Sequence, residues 1–76
     1  MNKARRKNLN EIYERISELR DLLEGVKDEE EKYKDNIPEN LQNSERYEIA
    51  ENACDNMDEA LSILEEALDY IESAAE

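Results

Sequence analysis

The stretch DEALSILEEALDYIESAA, Asp58 to Ala75, decides the fold. Leu61, Leu64, Leu68, Ile71 and Ala75 recur at alternating steps of three and four, the spacing of one stripe on a helix packed against another helix. Ile63 and Tyr70 lie off that stripe, seven residues apart, so a single neighbour does not account for them. Extended backwards, the first stripe reads Tyr47, Ala50, Cys54, Met57 and then Leu61. With Met57 at heptad position d and Leu61 at a, Ala53, Ala60, Ala67 and Ala74 fall at g. Ile49, Asn56, Ile63 and Tyr70 fall at c. Ile49, Ala53, Ala60, Ile63, Ala67, Tyr70 and Ala74 thus form a second apolar seam beside the first, interrupted only by Asn56. Alanine is the best helix former, so propensity alone explains single alanines. It does not explain a strict seven-residue recurrence with Ile and Tyr between, which marks a second interface.

Working outward, Ser44 is the expected N-cap of this helix, with Glu45 in its first turn, and the helix runs from about 45 to 75. An earlier helix is expected over about 3–34. Its apolar positions Leu9, Ile12, Ile16, Leu19, Leu23 and Val26 again step by three and four, and the pattern resumes at Tyr33. Gly25 weakens that helix by about 1 kcal/mol relative to Ala without ending it. Between the helices, residues 35–44 form the loop. Pro38 lacks an amide hydrogen and biases Ile37 to extended geometry, and PENLQ can form a short helical turn. Ile37 and Leu41 are expected to plug the open end of the pair.

Residues 1–76 therefore read as one all-α domain, an antiparallel, coiled-coil-like two-helix hairpin. The hairpin would set Lys3, Arg5, Arg6 and Lys7 beside Glu65, Glu66, Asp69, Glu72 and Glu76 for mutual ion pairing. A lone hairpin leaves one side of each helix wet. Dimerisation into a four-helix bundle would complete it, and a third helix from a different protein would use the same seam.

Composition bounds the function. Charged residues are 42% and aromatics 5%, with one Gly and one Pro, which suits long solvated helices. The net charge is −12, and residues 47–76 contain ten acids and no base. Such a chain is repelled by nucleic acid and by anionic membrane, so direct binding to either is not expected, and basic proteins are the natural partners. Glu51, Asp58, Glu65 and Glu72 share position e at intervals of about 10 Å. Asp55, Glu59, Glu66 and Asp69 extend the acidic face. A rod so charged can imitate a phosphate backbone, or it can simply be a solvated flank that keeps the protein soluble.

Catalytic and metal chemistry finds no foothold. There is no histidine, and the acidic run Asp28–Glu31 lacks the spacing of a calcium loop. Cys54, the lone cysteine, sits at an a position as a small core residue. A single thiol, with no membrane-length apolar run and no apolar secretory segment, points to a reducing, cytoplasmic setting. No enzymatic activity, cofactor or metal is expected.

From Asp28 onward, DEEEKYKDNIPENLQNSERYEIAENACDNMDEALSILEEALDYIE resembles a family of small uncharacterised acidic helical proteins of phages and mobile elements in Gram-positive bacteria. The distinctive part is the loop, Asn36 to Arg46, and the likeness spans roughly two thirds of the chain. It implies a bacterial host cell and an accessory role, an inhibitor or adaptor acting on host machinery, such as an inhibitor of a basic defence nuclease. It carries over no site residues.

Overall fold

In a computed structural model covering all 76 residues, the chain is two long helices and the bend between them. Helix α1 runs Lys3–Asp35 and α2 runs Glu45–Ala74, and they pack antiparallel into a hairpin 59 Å long and only 15 by 12 Å across. There is no strand.

Local chemistry sets the boundaries. The Asn2 side chain accepts the Arg5 amide at 2.8 Å and caps α1. Lys32 and Lys34 in its last turn face the negative end of the dipole. Pro38 then caps a single 3-10 turn, Glu39–Leu41, and the Ser44 hydroxyl accepts the Tyr47 amide at 3.4 Å to start α2. Ile37 is buried at the bend as expected. Leu41, expected to plug the same end, stays exposed because the 3-10 turn carries it outward.

Along α2 the seam is the one read from the sequence: Tyr47, Met57, Leu61, Leu64, Ile71 and Ala75 are half-buried, and Ala50, Cys54 and Leu68 are buried. Along α1 it is not. The half-buried residues are Leu9, Tyr13, Ile16, Arg20, Leu23, Lys27, Glu30 and Lys34, with Ser17 and Glu31 at their edge, whereas Ile12, Leu19, Val26 and Tyr33 are exposed. The two rows share Leu9, Ile16 and Leu23, so α1 is rotated by about 50° from the expected seam. Arg and Lys make this possible, because their apolar stems can line a seam while their heads reach its edge. Lys27 does so: its Nζ lies 2.7 Å from Asp58 Oδ1 on α2 and 3.8 Å from Glu31.

The basic start of α1 does not pair with the acidic end of α2. The ion pairs are Lys27–Asp58, Lys27–Glu31 and Arg20–Asp21. The register is the reason: Asn10 and Tyr13 lie against Ile71, Glu72, Ala75 and Glu76, so Lys3 to Lys7 reach past the last turn of α2.

Candidate interaction surfaces

The rotation of α1 decides what each side of the hairpin carries. With the observed inward row taken as a and d, Ile12, Leu19, Val26 and Tyr33 occupy g, and Arg15, Leu22 and Glu29 occupy c. On α2 the g row is Arg46, Ala53, Ala60, Ala67 and Ala74. In an antiparallel pair, g lies beside g and e beside e, and two contacts fix the sides here. Arg46 Nε donates to Tyr33 Oη at 2.6 Å, with the guanidinium 5.6 Å from the ring centroid, which joins g to g. Asn10, Tyr13, Ile71 and Glu72 line one hollow on the opposite, e side.

The g side is apolar along most of its length. Ala53, Ala60 and Ala67 are half-buried and form the floor of a trough. Ile12, Leu19 and Val26 of α1 form one wall, with Leu22, 67% exposed, outside it. Ile49, Ile63 and Tyr70 of α2 form the other, with Ile63 54% and Tyr70 76% exposed. Ala74, at the open end of the row, is exposed. All seven residues of the expected second seam therefore lie on one side. The α1 wall joins them, which the sequence reading missed by assigning those residues to the first seam. No sequence signal marked the choice, because Arg20 and Lys27 read as solvent-facing residues.

Acids avoid that side. The g and c positions of both helices hold one acid, Glu29, against Arg5, Arg15 and Arg46. The remaining 21 of the chain's 22 acids lie elsewhere. Glu51, Asp55, Asp58, Glu59, Glu65, Glu66, Asp69 and Glu72 are all exposed. Asp58 is ion-paired with Lys27, leaving Glu51, Glu65 and Glu72 of the e row without a basic partner.

Cys54 is a free thiol buried against α1. Burial pushes its pKa up, with Glu30, Glu31 and Asp55 adding to the effect and Lys34 opposing it. It is thus held as the protonated, weakly nucleophilic form. No group of three or more His, Cys, Asp or Glu side chains is placed to hold a metal ion, and no helix is long and apolar enough to cross a membrane. No protein-family model, curated protein or solved structure matches the chain.

Proposed function

We propose that this protein is a non-enzymatic association module, an acidic hairpin that dimerises into a four-helix bundle through its g side and offers its acidic surface to a basic protein. The observation that carries this reading is the segregation itself. Bulky apolar residues are exposed on one side, where there is a single acid, and the carboxylates occupy the others. Water-exposed Leu19, Leu22, Ile63 and Tyr70 on a chain this short call for a cover, since a core below about 80 residues rarely supplies more than 3–5 kcal/mol. Covering the g side leaves the e rows outside, free to engage a partner.

The acidic surface takes part through Glu51, Glu65 and Glu72, with Asp55, Glu59, Glu66 and Asp69 behind them. Carboxylates repeating every two helical turns suit a groove built for phosphates. Inhibition of a basic nucleic-acid-binding protein is the specific form of this reading. The lone buried thiol fits a reducing, cytoplasmic setting. A structural or adaptor bundle that acts only through the apolar side is the second reading, favoured by the exposure of Leu22, Ile63 and Tyr70 on that side.

Charge reversal separates the two. Lys at Glu51, Glu65 and Glu72 should abolish capture of a basic protein from host lysate and leave the bundle's solution mass unchanged. Capture that survives both the reversal and high salt would defeat the electrostatic reading. Ala60→Glu or Ile63→Glu should instead break the bundle.

A further inference from the structure

Resting on that dimeric reading, we infer that the cover on the g side is a second copy laid antiparallel, like helix on like helix, about a two-fold axis level with Leu22 and Ala60.

Charge favours that arrangement. On α1 the c row reads Arg15, Leu22, Glu29, with opposite charges one heptad either side of Leu22. A copy turned about a two-fold through Leu22 sets Arg15 against Glu29 of the second copy, and Glu29 against its Arg15. A parallel copy would set like on like. A foreign helix has no need of a pattern that complements itself, whereas an isologous interface does.

The apolar rows are centred to match. The apolar row of α1 spans Ile12 to Tyr33, centred beside Leu22, and the g row of α2 spans Arg46 to Ala74, centred on Ala60. These centres lie within about one helical turn of each other along the hairpin. Tyr33 sits beside Arg46, Lys27 beside Asp58, and Tyr13 near Glu72, which places Leu22 between Met57 and Ile63. One axis therefore serves both helices. On α2 it stacks Ala60 on Ala60 and Ala53 on Ala67, where small side chains let the helices approach closely. It also sets Tyr70 on Ile49 and Asn56 beside Ile63, so the one polar break in the stripe falls opposite an apolar edge and penalises shifted registers.

Long-range electrostatics favour the same side. Two chains of net charge −12 meet on the one side where bases outnumber acids.

Cysteine cross-linking in a Cys54→Ala background tests the geometry, with solution mass measured alongside. Leu22→Cys should form a covalent dimer under mild oxidation. Arg15→Cys alone should link at least tenfold less, while an equal mixture of Arg15→Cys and Glu29→Cys chains should link to each other. Without cysteines, Arg15→Glu should weaken dimerisation roughly tenfold by turning both symmetric pairs repulsive, and Arg15→Glu with Glu29→Arg should restore it. A dimer in which Arg15→Cys links to itself is parallel, and it overturns this geometry while leaving self-association standing. A folded monomer at all concentrations overturns both.

Discussion

Lys27 Nζ lies 2.7 Å from Asp58 Oδ1, the only ion pair that joins the two helices. Lys27 stands where a coiled-coil seam ordinarily places an aliphatic residue, and its reach to Asp58 accompanies the rotation that exposes Ile12, Leu19 and Val26.

That contact makes stability sensitive to alkaline pH. The hydrogen bond to Asp58 raises the Lys27 pKa above its ordinary value, against partial desolvation, with Asp58, Glu31 and Asp28 adding attraction. A cation favoured in the folded state stabilises fully below the unfolded value, about 10.4, and its contribution disappears as pH rises through the folded value. Asp58→Asn should lower the urea midpoint at pH 8 and flatten its decline above pH 10. An unchanged alkaline decline in the variant would show that Lys27 is not its source.

Cys54 adds an earlier alkaline limb. Its thiol ionises more readily in the unfolded chain than in the folded one, so stability falls as pH climbs past the ordinary thiol value of about 8.5. Cys54→Ala should remove that limb. In the native protein, alkylation of Cys54 should be much slower than in urea, and equal rates would mean that the thiol is not buried.

Leu68 and Gly25 bracket the energetics of the hairpin. Leu68 is buried at the seam, and Leu68→Ala should cost about 2–3 kcal/mol, the low end for a core leucine because the surrounding core is thin. A Cβ at Gly25 meets nothing within 4 Å, so Gly25→Ala should gain about 1 kcal/mol from helix propensity. Thermal melts followed by circular dichroism read both. Destabilisation by Gly25→Ala would reveal a contact at that position absent from the isolated hairpin.

Salt should act in opposite directions on the two surfaces. Raising ionic strength from about 0.1 to 1 M shortens the screening length from about 10 to 3 Å. Repulsion between two chains of charge −12 then fades, so self-association should tighten, while capture of a basic partner should weaken. Titrating both against sodium chloride checks the signs, and a dimer that dissociates with salt would contradict an apolar interface.

Much of this was legible in the sequence because α2 offers no ambiguity. Its a and d positions are apolar from Tyr47 to Ala75, and its second stripe repeats every seven residues. Helix α1 is different. Two overlapping rows pass through Leu9, Ile16 and Leu23, one completed by Ile12, Leu19 and Val26 and the other by Tyr13, Arg20 and Lys27. Hydrophobicity favours the first, whereas the helices meet along the second, because long basic side chains can bury their stems and ion-pair at the seam's edge. Leu41 was misplaced for a local reason, since periodicity does not foretell which way a 3-10 turn after Pro38 points its side chains. The basic start of α1 stays unpaired because the register carries Lys3 to Lys7 past the last turn of α2, an offset that periodicity alone does not fix.

Sedimentation equilibrium across a hundredfold range of concentration tests the central claim most directly. The account predicts a species of twice 8.9 kDa that Leu19→Glu and Ile63→Glu each return to 8.9 kDa with helicity retained. A stably helical wild-type chain that remains at 8.9 kDa throughout, with Leu19, Leu22, Ile63 and Tyr70 in water, would contradict it.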